Sequence, residues 1–261
     1  MRDISSRRIA TILSAFLLTL SSPCWAQSAN LTLDQILTRM QQADSHSRQD
    51  SVAYTVTREY QLAAAGARQP TSHVVAQVNF VPPAAKDYSI LKSEGNDRGA
   101  GIVRKVLDHE AEMAGHSERH EISRRNYDFA LVGRETFDGH DCYVLKLLPR
   151  RQAVELINGK AWVDAHDFIV RQIQGATARN PSMWLKGLTL TLTYGQVNGI
   201  WVQTSTRAVA EVRFVGTHVL TSRELDVQPA SLNARSQPPA PSHPRRNPHH
   251  FEADTATWIG R

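Results

Sequence analysis

The chain has 261 residues, of which 41% are hydrophobic and 21% charged, and its formal net charge is +5 at pH 7. Residues 1–26 and residues 229–261 each carry +2 of that charge, so the region between them is almost neutral at +1. Binding to nucleic acid relies on a basic surface, and this balance excludes nucleic acid as an expected partner.

Residues 1–26 have the organisation of a secretory signal peptide. A basic start with three arginines precedes an apolar run from Ile9 to Leu20, and Ala26 marks a cleavage point. The apolar run is shorter than the roughly 20 residues that span a bilayer. A proline precedes Cys24, where a lipid-anchored protein has a small residue. The sequence therefore predicts export to the periplasm without a lipid anchor, by either the general or the twin-arginine route.

The first part of the mature region predicts one helix followed by antiparallel strands. Thr32 begins the helix with Gln35 as its capping-box partner. Apolar residues follow at helical spacing and predict a stripe that lies against a sheet: Leu33, Ile36, Leu37, Met40 and Ala43. Alternation from Val52 to Leu62 predicts a long half-buried strand, Val74 to Val81 the returning strand, and Tyr88 to Leu91 a short third strand.

The second part predicts one more helix and a longer series of strands. Asn96 or Asp97 caps the helix, and Gly115 follows its end. Asp138-Gly139 and Asn198-Gly199 predict hairpin turns, because both residues of such a turn adopt positive φ. Strands are expected at about 128–136, 141–148, 160–164, 168–173, 188–194, 200–213 and 217–227.

These elements predict an α+β fold with about 9–11 antiparallel strands. One sheet of this size must curl or close. Two helices are too few to cover both of its faces, but they are enough to form a lid at the mouth of a half-open barrel. We therefore expect an incomplete antiparallel β-barrel with a helical lid over residues 27–228. Residues 229–261 are rich in proline and histidine and predict a disordered tail.

Several short motifs resemble one family of exported bacterial proteins. They are the helix at residues 31–44, Asn126-Tyr127-Asp128-Phe129, the segment from Gly139 to Leu145, Trp162-Val163-Asp164, and Pro181-Ser182-Met183-Trp184. With them the chain resembles the periplasmic lipoprotein-carrier (LolA/LolB-like) superfamily of outer membrane lipoprotein-sorting proteins. The resemblance implies an unclosed barrel covered by helices, with an apolar cavity for lipid acyl chains. For the arginine that latches the lid in the carrier, Arg171 is the candidate by its place on a strand.

Apolar and aromatic strand residues are the candidates for lining such a cavity. They are Phe80, Phe129, Leu131, Tyr143, Leu145, Leu190, Leu192 and Val202. Sequence spacing alone favours a filled core, whereas the resemblance favours the cavity. The leading hypothesis is a soluble periplasmic carrier of lipoprotein or lipid acyl chains, acting without a cofactor.

Two other functions remain open from the sequence. One is a regulatory sensor, similar to the sigma-E regulatory proteins, that binds a membrane protein with its tail as a docking segment. The other is a metal-dependent enzyme that uses His116, Glu118 and His120. Zinc would need a further ligand beside these three. His140, Asp141 and Cys142 are neighbours on one strand and do not converge as a catalytic trio does, so we expect no enzyme there.

Overall fold

The computed structural model describes residues 31–230. The predicted signal peptide and all but the first two residues of the predicted tail lie outside the described residues. The helices are α1 (Leu33–Gln49) and α2 (Asp97–Ala114), and a short 3₁₀ helix spans Ser117–Arg119. The strands are β1 (Tyr54–Ala64), β2 (Ser72–Val81), β3 (Ala85–Gly95), β4 (Tyr127–Phe137), β5 (His140–Pro149), β6 (Ile157–Asp164), β7 (Val170–Thr177), β8 (Leu185–Val197), β9 (Ile200–Val212) and β10 (Gly216–Pro229).

All ten strands form one antiparallel sheet in the order β3-β2-β1-β10-β9-β8-β7-β6-β5-β4. Strands β3 and β4 are the two edges of this order, so the sheet is open. The predicted α+β fold with an incomplete antiparallel barrel is confirmed in its strand number, its two helices and its open edge. In the described part of the chain, no helix is both long and apolar enough to cross a membrane.

Both helices begin after capping residues that the sequence predicts. Thr32 and Gln35 form the capping box: the Gln35 amide donates to Thr32 Oγ1 at 3.3 Å, and the Thr32 amide donates to Gln35 Oε1 at 2.9 Å. The side chain of Asn96, rather than Asp97, caps α2 by accepting from the Gly99 amide at 2.7 Å. The apolar stripe of α1 is buried at Ile36, Leu37 and Met40.

One face of the sheet can be followed across the whole molecule. Directly opposed residues form a row that crosses all ten strands: Ser93, Val74, Tyr60, Ser222, Thr206, Leu192, Ile173, Ala161, Leu145 and Leu131. Residues opposite each other in a ladder share a face, so this row defines what we call the inner face.

The two helices lie against opposite edges of the sheet. Val103 and Leu107 of α2 pack with Val56, Val74 and Val78 in one buried cluster on the inner face. Helix α2 contacts β2 and β3, whereas α1 contacts β4. The middle strands of the sheet therefore lie between the two helices.

The structure corrects the expected start of one strand. Phe168 was expected to begin a strand, but it lies in the β6–β7 turn with φ +59°, and β7 begins at Val170. Asp164 Oδ1 accepts the amides of His166 and Asp167 at 2.8 and 3.0 Å, which bends the chain before Phe168. The Phe168 ring stacks on the Tyr143 ring with centroids 6.3 Å apart. Phe168 therefore lies in a turn although the sequence around it has the pattern of a strand.

Candidate functional site

Apolar side chains in the middle of the inner face keep part of their surface accessible. Leu190, Leu192 and Tyr194 of β8, Ala208 of β9 and Leu220 of β10 are only half-buried. Leu190, Leu192 and Tyr194 pack against the buried cluster of β4–β7, and Leu220 packs against the cluster beneath α2. We call these five residues the inner groove. Packed side chains or helices usually cover the central strands of a sheet, whereas this strip keeps part of its surface accessible to solvent.

Small residues continue the groove floor toward β6. The next row of opposed residues runs Leu62, Leu220, Ala208, Leu190, Gly175, Gly159, Leu147 and Phe129. A Cβ atom at Gly159 would lie 2.0 Å from the Gln174 carbonyl oxygen, because β6 and β7 approach each other closely there. Glycine is required at such a close approach. Gly159 and Gly175 have no side chains, so the groove floor at this pair consists of backbone atoms.

A buried cluster of charges borders the groove at α2. Arg58 of β1 is only 4% exposed, and its Nη1 donates to both carboxylate oxygens of Glu110 at 2.9 Å. Lys86 Nζ of β3 donates to Glu110 Oε1 at 2.8 Å. Nearby, the Tyr88 hydroxyl donates to Asp108 Oδ1 at 2.6 Å. These contacts tie α2 to β1 and β3 through charged and polar groups in addition to its apolar face.

The charges of this cluster hold each other ionised. Burial acts to raise the pKa of Glu110, but the charges of Arg58 and Lys86 outweigh it and lower the pKa to about 2. Burial acts to lower the pKa of Arg58, and Glu110 and Tyr60 reverse this so that the pKa is raised. Removing Glu110 would take from both Arg58 and Lys86 the carboxylate that they bind.

Glu224 is the carboxyl group of the cluster that has no charged partner. It stands directly opposite Arg58 in the β1–β10 ladder, just after a bulge at Thr57. Its Oε1 is buried and accepts no hydrogen bond, and Arg58 Nε likewise has no partner. Burial raises the pKa of Glu224 to about 7, against the opposing effect of Arg58. Arg58 thus faces two carboxyl groups and binds the one on α2.

Tyr194 connects the groove to this cluster and shows that the sheet curves. Burial, with smaller contributions from Glu110 and Tyr127 that Arg58 opposes, raises its pKa to about 12. Strands in a flat sheet are about 4.8 Å apart, which would hold β4 and β8 about 19 Å apart. Tyr194 nevertheless packs against the cluster that contains Tyr127 of β4, so the inner face is concave.

Sequence reasoning missed Arg58 and proposed Arg171 as the latching arginine. Arg171 Nε instead donates to Asp164 Oδ2 at 2.6 Å, and its guanidinium lies 5.4 Å from the centre of the Trp201 ring. A signal for Arg58 was present in the sequence. It occupies an inward position of β1, in step with Val56 and Tyr60, where an unpaired charge is costly.

All eight predicted cavity residues lie on the inner face, but they differ in exposure. Leu145, Val202 and Tyr143 are 0%, 3% and 5% exposed and belong to the packed core. The others keep accessible surface: Phe80, Phe129, Leu131, Leu190 and Leu192. Contact of these five with a ligand stays a prediction.

The chemical candidates from the sequence are not assembled into a centre. His116 Nδ1 lies 3.7 Å from Glu118 Oε1, but residues 31–230 contain no group of three or more histidine, cysteine, aspartate or glutamate side chains able to hold a metal ion. Cys142 is fully buried, and burial raises the pKa of its thiol. Asp141 pairs with Arg134 at 2.8 Å, and His140 Nδ1 lies 3.3 Å from Asp164 Oδ2.

Comparisons with known proteins find similar structures at low sequence identity. A family profile described as "uncharacterized protein" matches residues 116–221, which is less than half of the chain. The comparison with curated proteins finds no match.

Among solved structures, a domain described as an outer membrane lipoprotein-sorting protein from Vibrio parahaemolyticus is 13% identical. The match covers 78% of this chain and 97% of that chain, with a TM-score of 0.45. A LolA superfamily protein from Nitrosomonas europaea is 15% identical over 78% of this chain and 96% of its own, with a TM-score of 0.37. The MucA/MucB complex from Pseudomonas aeruginosa matches at 10% identity, over 76% and 98% of the two chains, with a TM-score of 0.22. The superfamily that the sequence motifs resemble is thus among the matched structures.

Proposed function

We propose that this protein is a periplasmic carrier that binds the acyl chain of a lipoprotein or lipid in the inner groove, for transfer toward the outer membrane. The observation that supports the proposal is the strip of half-buried apolar side chains in the middle of a concave sheet, between α1 and α2. Each buried CH₂ group contributes about 0.8 kcal/mol, so one long acyl chain would supply most of the binding free energy.

The charge cluster gives the proposed carrier a way to release its cargo. Helix α2 borders the groove and is joined to β1 through Arg58 and Glu110 and to β3 through Lys86 and Glu110. Widening the groove on this side requires α2 to move from the sheet, and these contacts oppose that movement. Loading and release would then follow the opening and closing of α2.

A binding measurement with groove variants tests the proposal. A fluorescent fatty acid would be titrated into the purified protein and then displaced by an unlabelled acyl chain. Leu190→Asn and Leu192→Asn place amides in the groove, and we expect each to weaken binding roughly tenfold, because a polar group without a hydrogen-bond partner is costly next to an acyl chain. Thr191→Asn is the matched control, since this residue lies between them on the other face of β8.

The control should bind as the parent protein does, and all three variants should unfold in the same denaturant range. Unchanged affinity in both groove variants would overturn the proposal. Native mass spectrometry of protein purified from its own periplasm gives an independent result. A co-purified lipid would support the carrier function and identify the cargo by its mass. Isolation with a membrane-protein fragment and without lipid would instead favour the regulatory alternative.

A further inference from the structure

Two neighbouring loops at one end of the sheet expose large apolar side chains. Phe214, between β9 and β10, is 91% exposed, and Met183, between β7 and β8, is 78% exposed. These are the highest values among the large exposed hydrophobic residues of the described chain. Val215 beside Phe214 is also exposed. We call the segments 178–187 and 211–217 the loop tip.

Hydrogen bonds join the two loops that carry these exposed side chains. The last pair of the β8–β9 ladder joins Leu185 to Val212. Beyond it, the Arg213 amide donates to the Trp184 carbonyl and Arg213 Nε donates to the Met183 carbonyl, both at 2.9 Å. Met183 and Phe214 therefore occupy adjacent positions on two joined loops.

Phe214 lies in the turn that closes the β9–β10 hairpin, and its side chain, unlike its backbone, gives no evident benefit to the fold. Its φ is +64°, a region that bulky residues rarely adopt. Such backbone conformations are found where the surrounding structure enforces them, often at functional sites. Here the strained residue is almost completely in solvent, so the fold gains no packing from it. An interaction outside the molecule would account for an exposed aromatic ring at this position.

The loop tip is also basic. It contains Arg179, Lys186 and Arg213, with Glu211 as its acidic residue. The β1–β2 turn adds Arg68 at the same end, because the Ala65 amide donates to the Thr217 carbonyl at 2.8 Å. Cationic side chains around a small apolar tip complement a surface that has anionic groups outside and hydrocarbon beneath.

We propose that the loop tip docks on an anionic phospholipid bilayer, with Phe214 and Met183 entering the headgroup boundary and the cations contacting lipid phosphates. A stable protein interface buries about 800 Å² on each partner, and two short turns offer a much smaller surface. A bilayer accepts a small apolar tip of any shape. This inference uses no residue of the inner groove, so it stands or falls separately from the carrier function.

Vesicle binding by the full chain tests the inference. Binding would be measured by co-sedimentation with phosphatidylcholine vesicles and with vesicles that also contain phosphatidylglycerol. We expect binding to the anionic vesicles that weakens as salt is added. The pair Phe214→Ser and Met183→Ser should reduce the binding constant at least tenfold, and Lys186→Glu by roughly fivefold or more, since each basic residue near such a surface contributes about that factor.

The matched control is the pair Val52→Ser and Val81→Ser. Both residues are about half exposed, at 54% and 51%, and lie at the opposite end of the sheet, where β1 begins and β2 ends. All variants keep the same basic termini, so differences in binding report the loop tip. The control pair should bind as the parent does. Equal binding by parent and loop-tip variants, equal losses in the control, or no preference for anionic vesicles would each overturn the proposal.

Discussion

Replacing Glu224 with glutamine should stabilise the protein at high pH and leave its stability unchanged at low pH. Glutamine has the shape of the protonated carboxyl group that the folded state prefers. The pKa of Glu224 rises from 4.5 to about 7 on folding, because burial removes water from its carboxylate and Arg58 offsets this only in part. A carboxyl group whose pKa is raised by folding favours the folded state below its unfolded pKa. That contribution is lost as the pH rises through about 7.

The size of the effect follows from this difference in pKa. The interval from 4.5 to about 7 corresponds to about 3 kcal/mol at 1.36 kcal/mol per pKa unit. Glu224 is only half-buried, so water screens part of this cost and about 2 kcal/mol is expected. For a domain of this size such a gain raises Tm by roughly 4 to 8 °C. The gain should be near zero at pH 4, grow between pH 4.5 and 7, and level off above.

Urea unfolding of parent and Glu224→Gln proteins across this pH range measures the difference directly. Other groups that titrate in both proteins cancel in the subtraction. Glu211→Gln removes the same charge from an exposed position on β9 and serves as the control, with a difference near zero at every pH. A Glu224→Gln gain that is equal at pH 4 and pH 8 would refute the reasoning, because the effect would then not come from ionisation.

Three further substitutions and one control test the helix contacts, the core and a helix cap by urea unfolding at pH 7. Glu110→Gln should cost about 3 kcal/mol, since Arg58 and Lys86 lose the carboxylate that both bind and Glu224, opposite Arg58 in the ladder, replaces it only in part. The substitution should also speed amide exchange in α2, and a cost below about 1 kcal/mol would contradict the role of the pair. Leu147→Ala should cost about 2 to 5 kcal/mol because the side chain is fully buried, whereas Leu225→Ala, 48% exposed, should cost under about 0.5 kcal/mol. Thr32→Ala should cost about 1 kcal/mol through loss of the α1 cap, and no change would argue against that capping box.

Local signals in the sequence predict the elements of this fold well, because each depends on a few adjacent residues. The Thr32 cap needs only Gln35, and Asp138-Gly139 adopts the positive φ values of +49° and +78° that its hairpin requires. Alternation predicts the inner face, where all the proposed cavity residues lie. What alternation does not determine is how far each inner residue is covered, since that depends on where the two helices settle.

The charge cluster could not be derived from local patterns. Arg58 and Glu110 are separated by 52 positions in the chain and meet only because α2 packs across β1–β3. Arg171 also belongs to a strand, but it lies at a bulge of β7, where Asp164, seven residues earlier in the chain, binds it. An arginine on an inward strand position is a useful signal of a buried pair, but its partner becomes identifiable only with the packing of the helix.

The two carboxyl groups that face Arg58 should be coupled, and a double substitution tests this. In the parent protein Glu110 neutralises Arg58, so Glu224 gains little from ionising and glutamine in its place is stabilising at pH 8. In a Glu110→Gln background, Glu224 is the carboxyl group opposite Arg58 in the ladder and should ionise as its new counter-ion. Glu224→Gln should then change sign and become destabilising by about 1 to 3 kcal/mol.

The measurement is a double-mutant cycle by urea unfolding at pH 8. Additive effects of the two substitutions would show that Arg58 does not exchange between these partners. A change of sign would show that it does. Arg58 would then have a second partner on the sheet when α2 moves away, which lowers the free-energy cost of opening the groove.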